Sequence, residues 1–204
     1  MSVRSELALI SEWIRPGTRV LDLGCGEGLL LRYLRDTRGV IGYGLEIDPD
    51  NIRGCVEKGI PVIQTNLDEG LKDFDPDSFD YVVMTQTLQA VRYPEHLLAE
   101  ILRVGREGIV TFSNMGHWRC RMELALRGRM PVSGDAGLDW YNSPNIHLCT
   151  VRDFERLCAN AGIDIIERTF IDDGHRRRTA ASLLPNLLGE VALYRFKQAA
   201  GADP

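Results

Sequence analysis

Short apolar runs alternate with amphipathic segments along the first 113 residues of the chain. Residues 19–23 form an apolar run that is stopped by glycines, which is typical of a buried strand, and residues 29–35 then have helical spacing. The same pattern predicts further strands at 40–47, 61–65, 79–85 and 108–113, and further helices at 5–14, 49–58 and 94–104. This alternation predicts an α/β fold in which helices cover both faces of a parallel sheet.

The alternation ends after residue 113. Residues 114–149 are irregular and rich in Gly, Pro, Trp and Arg, so we expect an insert that covers the mouth of a site. Thr150 is a good N-cap for a helix over 151–161, which Gly162 closes. Residues 163–170 and 191–196 predict an antiparallel pair of strands at the sheet edge, and the three arginines at 176–178 predict an exposed loop. We therefore expect one domain over 1–198, with 114–149 as its lid, and a disordered tail over 199–204.

Composition and charge narrow the class of protein. The net charge of −5 argues against a nucleic-acid-binding surface, since such domains usually carry a basic excess. The five cysteines contain no C-x-x-C pair, which favours neither a disulfide framework nor a metal site and favours a reducing compartment. No signal-peptide pattern opens the chain, and no apolar run reaches the roughly 18 residues of a membrane span. These features predict a cytoplasmic protein with neither a membrane nor a nucleic acid as partner.

Three glycines follow the first predicted strand, in the order Asp22-Leu23-Gly24-Cys25-Gly26-Glu27-Gly28. A strand, a glycine-rich turn and a helix place backbone N–H groups around a ligand. Dinucleotide sites favour G-x-G-x-x-G, whereas the spacing here is G-x-G-x-G and Asp22 would repel a pyrophosphate. A carboxylate at that position suits the ammonium group of S-adenosylmethionine (SAM). The structural alternative is a glycine turn that only packs the helix onto the strand.

A second acidic residue lies at the end of the second predicted strand. Glu46 follows the glycines by about 20 residues, where a carboxylate accepts hydrogen bonds from ribose hydroxyls, and Ile47 lies beside it. Because ligands of open α/β sheets bind at the carboxyl ends of the strands, Asn66 and Leu67 after the third strand should border the adenine.

The segment after the fourth strand should lie under the sulfonium end of the cofactor. There, Thr85 and Gln86 either contact the ligand or only cap the loop. No metal is predicted in this site. SAM, or S-adenosylhomocysteine after methyl transfer, is the expected cofactor.

These residues resemble class I SAM-dependent methyltransferases. The resemblance rests on Val20–Gly28, Glu46 and Ser78-Phe79-Asp80-Tyr81-Val82, and covers roughly residues 19–113. It implies a Rossmann-like fold with a seven-stranded, mostly parallel sheet whose last strand is antiparallel. It is specific to the fold and the cofactor and leaves the reaction open.

Nearly the whole chain also resembles the methionine biosynthesis protein MetW family. The segments that carry this resemblance are residues 85–91, 116–119, 127–132 and 144–150. The family is associated with the homoserine O-acyltransferase MetX, so the resemblance implies that enzyme as a partner and a regulatory role. One departure is Thr65-Asn66, where the family usually has Gly-Asp, and an uncharged Asn66 changes the expected affinity for the cofactor. The oligomeric state is left open, a homodimer included.

The insert offers three candidates for a catalytic base or an acceptor-binding group, which are His117, Tyr141 and His147. The alternative for each is that it packs the insert onto the sheet with its polar end hydrogen-bonded locally. The insert also contains four arginines, at positions 119, 121, 127 and 129. They could hold a carboxylate substrate, meet an acidic partner surface or form a solvated face.

Two hypotheses for function follow. The protein is either a SAM-binding accessory subunit of a homoserine O-acyltransferase or a methyltransferase that acts on a small molecule. The segment after the fourth strand lacks the Asn/Asp-Pro-Pro-Tyr signature, which argues against methylation of amides and exocyclic amines.

Overall fold

A computed structural model describes residues 3–132, 139–171 and 183–201. Seven strands form one sheet in the order β3-β2-β1-β4-β5-β7-β6. The strands are β1 Arg19–Leu23, β2 Ile41–Glu46, β3 Val62–Gln64, β4 Phe79–Thr85, β5 Gly105–Ser113, β6 Ile163–Ile171 and β7 Val191–Gln198. The helices are α1 Val3–Trp13, α2 Leu29–Arg38, α3 Pro49–Glu57, α4 Pro94–Val104, α5 Trp118–Met122, α6 Val151–Asn160 and α7 Pro185–Leu188.

The predicted fold class is confirmed. Strands β1 to β5 run parallel, and β7 is antiparallel to both β5 and β6, between which it lies. The predicted antiparallel pair therefore forms, with β6 at the edge of the sheet. Thr150 caps α6 through a capping box with Asp153, as its position before an amphipathic run predicted.

Alternating residues of β1 point into two separate cores. Leu21 and Leu23 belong to the cluster that α4 and α6 cover, whereas Val20 belongs to the cluster that α1 and α2 cover. Because side chains of a strand alternate with period two, Asp22 lies on the same face as Val20. A carboxylate is thus buried at the end of an otherwise apolar strand, with 1% of its surface exposed.

The first part of the insert is helical, which corrects the prediction that 114–149 is irregular. Helix α5 continues into a wider π-helical segment, Glu123–Arg127, and Gly128 ends it in the left-handed conformation. Arg, Met, Glu, Leu and Ala are strong helix formers and dominate this stretch, but the Gly, Pro and Trp content of the whole insert obscured it.

Some predictions fall on residues outside the described ranges. The arginine run at 176–178 and residues 202–204 of the predicted tail belong to these. Within the described part of the tail, the Ala199 N–H donates a hydrogen bond to the Gly162 carbonyl. Among the described helices, none has the length and apolar composition that crossing a membrane requires.

Candidate functional site

The carboxyl end of β1 leads into the glycine turn, whose backbone conformation depends on its three glycines. Gly24, Gly26 and Gly28 have φ angles of 70°, 52° and 73°, a region that residues with a Cβ rarely adopt. The turn is anchored to β2, because the N–H groups of Gly24 and Cys25 both donate to the Leu45 carbonyl, at 2.9 and 3.0 Å.

The glycines differ in what surrounds them. A Cβ on Gly24 would lie 2.6 Å from the Thr87 hydroxyl oxygen, and one on Gly28 would lie 3.0 Å from the Cys55 sulfur. A Cβ on Gly26 would meet no atom within 4 Å. Gly24 and Gly28 are therefore glycine for close packing, while Gly26 faces open space at the mouth of the turn.

Glu46 ties the end of β2 to this turn. Its Oε2 accepts a hydrogen bond from the Gly26 N–H at 2.8 Å, and its Oε1 accepts from the Ile47 and Asp48 N–H groups at 2.8 and 3.0 Å. A carboxylate has about four acceptor positions, so roughly one remains, on Oε2. Glu46 can take a hydrogen bond from a ribose hydroxyl there and still hold the turn.

Asp22 is the least satisfied polar group of the site. Both of its carboxylate oxygens are buried and have no hydrogen-bond partner among the described residues. Burial and, to a smaller extent, repulsion by Glu46 raise the pKa of Asp22 to about 7. A buried carboxylate in this state favours a cationic partner, and the ammonium group of an amino acid is one.

Two cysteines lie directly beneath the turn, and sequence reasoning missed the second. The Cys55 thiol donates to the Gly26 carbonyl at 3.1 Å, and its sulfur lies 3.8 Å from that of Cys25. Both thiols are free and buried, and burial raises the pKa of each. Cys55 is 30 residues from Cys25 on α3, so no local spacing pairs them.

The loop after β4 forms the third side of the site. Gln86 has a positive φ of 55°, its N–H donates to the Thr111 carbonyl at 3.0 Å, and its Oε1 accepts from the Ser113 hydroxyl at 3.2 Å. The Thr85 carbonyl accepts from the Thr87 hydroxyl at 3.0 Å. The Gln86 bonds hold the loop against β5, and the Thr87 bond closes the turn after β4, so both are contacts of the loop-capping kind.

The first helix reaches the same loop through one side chain. The buried Thr111 hydroxyl donates a hydrogen bond to Glu6 Oε1 at 2.9 Å. The oxygen of the same hydroxyl accepts a hydrogen bond from the Gln86 backbone N–H at 3.1 Å. Glu6 and Thr111 are 105 residues apart, and nothing in the sequence links them. The N-terminal helix therefore supports the site, which the sequence did not predict.

The predicted adenine side is open. Asn66 is exposed and its Oδ1 accepts from the Asp68 N–H at 3.1 Å, which starts a 3-10 turn at Leu67–Glu69. Leu67 is half-buried at the edge of a core. Ile47 leaves 58% of its surface exposed beside Glu46, an apolar surface on which an aromatic base could lie.

The three catalytic candidates, His117, Tyr141 and His147, differ in burial and in hydrogen bonding. His117 is buried before α5, and its backbone N–H donates to the Asn114 carbonyl at 3.1 Å. The exposed Tyr141 hydroxyl donates to Asp139 Oδ2 at 3.1 Å, and His147 Nε2 lies 3.1 Å from the Arg92 carbonyl. His147 also lines a small apolar cavity of about 100 Å³ with Cys149.

Local chemistry of the site agrees with SAM in three respects. Asp22 offers a carboxylate for the ammonium, Gly26 offers open space at the turn, and Glu46 retains an acceptor for a ribose hydroxyl. Within the described residues, no group of three or more His, Cys, Asp or Glu side chains could hold a metal ion.

Solved structures with a similar fold include several methyltransferases. One chain from the complex between the Haloferax volcanii Trm112 methyltransferase activator and the putative methyltransferase has a TM-score of 0.69 and 20% identity, covering 98% of this chain and 92% of that one. The [4+2]-cyclase SpnF has a TM-score of 0.68 and 18% identity, covering 96% and 81%. At these identities the likeness shows the methyltransferase fold alone, and that fold includes a cyclase.

Sequence similarity to a curated relative also covers most of the chain. The chain is 37% identical over 196 residues to the bifunctional methionine biosynthesis protein MetXA/MetW of Rhodopirellula baltica, which covers 92% of this chain and 32% of the relative. The chain thus spans about a third of the length of that relative. A family model described as methionine biosynthesis protein MetW matches residues 4–196. The chain belongs to the family of methionine biosynthesis protein MetW.

Proposed function

We propose that the protein is a SAM-binding accessory subunit that regulates a homoserine O-acyltransferase. The observation that carries this proposal is the relative named MetXA/MetW, in which a region similar to this chain makes up a third of a longer polypeptide. A fusion holds two functional units at a high effective concentration, which suits units that act together.

SAM is the proposed ligand of the glycine turn. The Asp22 carboxylate would pair with the ammonium of the methionine part, and Glu46 would accept from the ribose. When bound, SAM supplies an activated methyl group or, in a regulatory site, a signal of the level of a compound downstream of methionine. For regulation, the SAM-bound and SAM-free forms must differ in their affinity for the partner or in their effect on it.

The loop after β4 is a physical link between the cofactor side and the insert. The buried Gln89 accepts hydrogen bonds at its carbonyl from the Ile146 and His147 N–H groups, both at 2.9 Å. Its side-chain oxygen accepts from the Ser113 N–H at 3.2 Å. A change at Gln86 would reach the end of the insert through the three residues of backbone that lead to Gln89.

The second candidate function is methyl transfer to a small molecule. The complete glycine turn with its two carboxylates favours it, because all these groups serve a methyltransferase equally well. The side chains of Tyr141 and His147 are exposed and bond separately, to Asp139 and to the Arg92 carbonyl, which supports the accessory role instead. Methyl transfer needs little acid–base chemistry, so the methyltransferase remains the alternative tested below.

We expect Gly26→Ala to abolish SAM binding while losing no more stability than a control substitution at a glycine outside the site. A Cβ at Gly26 has no protein neighbour within 4 Å and would project into the proposed ligand site, at a backbone cost of about 1–2 kcal/mol for the positive φ. Gly17→Ala is the matched control, because Gly17 has a φ of 72°, also has no neighbour within 4 Å, and precedes the opposite end of β1. Thermal unfolding and calorimetric SAM titration should show equal stability losses and a binding defect in Gly26→Ala only.

The same pair of variants separates a ligand site from a merely structural turn. If Gly26→Ala binds SAM as well as Gly17→Ala does, the glycine turn serves packing only and the proposed ligand site is wrong.

The proposed function is tested by homoserine acylation. We expect the rate of the purified acyltransferase to change when this protein is added, and SAM to modulate that change across a titration. Gly26→Ala should still act on the enzyme but should not respond to SAM. If the protein neither changes the rate nor forms a complex, the accessory role is wrong and a screen for methyl acceptors is the next step.

A further inference from the structure

The insert exposes a row of large apolar side chains. Trp118, Met122 and Leu126 are four residues apart on the helical segment, so they form one stripe, and 75% of the Leu126 surface is exposed. Beyond Gly128, Met130 and Trp140 line one groove of about 660 Å³, and 75% of Trp140 is exposed. Tyr141 is 70% exposed and its ring lies 5.9 Å from that of Trp140. We call six side chains the insert surface: Trp118, Met122, Leu126, Met130, Trp140 and Tyr141.

The insert surface is similar in size to the largest apolar patch of a typical monomer. Six exposed large side chains amount to an area on the order of several hundred Å², at or above the largest apolar patch of a typical monomer. It is comparable to the roughly 800 Å² that one partner contributes to a stable interface. Trp, Tyr, Met and Arg are also the residue types enriched in the cores of interfaces.

The charge of the insert surface indicates which charge a partner should carry. The surface carries four arginines, at 119, 121, 127 and 129, against Glu123, Asp139 in the groove and Glu190 beside Arg119, a net charge of +1 on a chain whose net charge is −5. Two copies of this face would bring like charges together, so the charge disfavours a homodimer through it. A partner with carboxylates around an apolar patch would complement it.

The four arginines are not equivalent. Arg121 is used within the chain, since its Nε donates to the Gly116 carbonyl at 2.6 Å, and Arg119 lies 3.8 Å from Glu190. Arg127 is largely exposed and makes a long contact of 3.9 Å with Glu123, one turn away. Arg129 is exposed at the edge of the groove that holds Met130 and Trp140. Arg127 and Arg129 are therefore the charges available to a partner.

We infer that the insert surface is where the homoserine O-acyltransferase docks, through an apolar patch rimmed by carboxylates. This inference rests on the proposed function and adds the location and chemistry of the contact. The position of the surface fits regulation, because the end of the same insert is hydrogen-bonded to Gln89 in the loop that borders the cofactor side. A ligand at the glycine turn and a partner on the insert would thus share one structural connection.

The test compares one surface variant with one matched control. Met122→Asp combined with Leu126→Asp places carboxylates on the stripe, and Val56→Asp makes the same kind of change at a side chain that is 66% exposed on α3. Binding of each protein to the purified acyltransferase is measured by calorimetry and by sedimentation, with thermal unfolding as the check on folding. We expect the double variant to bind at least about 30-fold more weakly and the Val56→Asp variant to bind within about twofold of the parent chain.

A second variant tests the charge. Arg127→Glu combined with Arg129→Glu should slow association with the acyltransferase by about tenfold at low salt and should weaken the salt dependence of the association rate. If the association rates of this variant and of the parent chain depend equally on salt, the inference that the partner has an acidic rim is wrong.

The outcomes separate this inference from the proposed function. If the parent chain binds the acyltransferase and the stripe variant binds equally well, the docking surface is wrong while the accessory role stands. If the parent chain does not bind the enzyme at all, both are wrong. If the parent chain alone sediments as a dimer that the stripe variant dissociates, the surface belongs to a second copy and the inference is overturned.

Discussion

Asp22→Asn should abolish measurable SAM binding and, at pH 8, make the ligand-free protein more stable. The ionised Asp22 carboxylate is buried without a hydrogen-bond partner among the described residues, and its pKa is raised to about 7, so the folded state disfavours its charge. The shift from 3.8 to about 7 corresponds to at most about 4 kcal/mol at pH 8. An asparagine removes the charge but keeps a buried polar group, so we expect a gain of about 2 kcal/mol, seen as a Tm higher by about 4–8 °C.

The pH dependence of stability gives the sign of this effect an independent check. A group whose pKa is raised on folding stabilises the folded state fully below its unfolded pKa, and that stabilisation is lost as the pH rises through the folded pKa. Asp22 should therefore make the ligand-free protein lose stability between about pH 4 and pH 7. At pH 5 the side chain is protonated in the folded state, so the difference in Tm between the parent chain and Asp22→Asn should nearly vanish.

SAM affinity should show the opposite trend. The ammonium pairs with the ionised carboxylate, so affinity should fall by up to tenfold per pH unit below about pH 7, as protons compete for Asp22. Calorimetric titrations at pH 6, 7 and 8 measure this. If Asp22→Asn binds SAM like the parent chain at pH 8, Asp22 is not the partner of the ammonium.

Glu46→Gln should weaken SAM binding by about 30- to 100-fold and, unlike Asp22→Asn, destabilise the protein by about 2 kcal/mol. The Glu46 carboxylate accepts hydrogen bonds from three backbone N–H groups, including that of Gly26. The amide has one oxygen and one NH₂ group, and that NH₂ group would face N–H donors. The turn would lose support and the ribose would lose its acceptor.

Glu27→Gln is the matched control for Glu46→Gln. It makes the same isosteric change within the same turn, but the exposed Glu27 carboxylate pairs with Lys58 Nζ at 2.9 Å, outside the turn's own backbone. Its stability should change by less than about 1 kcal/mol, and its SAM affinity should stay near that of the parent chain. Wild-type SAM affinity in Glu46→Gln would show that the ribose does not bind there.

The sequence predicted those parts of the fold in which local pattern and burial agree. The bounds of β1, β4 and α4 match their predictions because glycine, proline or charged residues delimit each apolar run. Strand β5 begins three residues before its predicted start, at Gly105 directly after α4. The early start is hidden by the polar Arg106 and Glu107, and it is permitted by glycine, because a Cβ on Gly105 would lie 2.5 Å from Val82.

The candidate site was predictable only where it is local. Asp22, the glycines and Glu46 were predicted as a group because their spacing reflects a strand, a turn and a second strand, and the structure joins Gly26 to Glu46 by a hydrogen bond at 2.8 Å. Glu6 and Cys55 were missed, since each reaches the site through a contact between distant parts of the chain. The arginines of the insert were named from the sequence as possible contacts to an acidic partner, but the apolar stripe at 118, 122 and 126 was missed because the helix that carries it was not predicted.

The rate at which the glycine turn opens can be measured through the two thiols beneath it. Cys25 and Cys55 are buried and their raised pKa values suppress the reactive thiolate, so an alkylating reagent reaches them only when the turn opens. Their alkylation rate, read peptide by peptide in a mass spectrometer, then reports the free energy of this local opening. A ligand that closes the turn slows these two thiols and leaves Cys120, on α5, as an internal clock in the same sample.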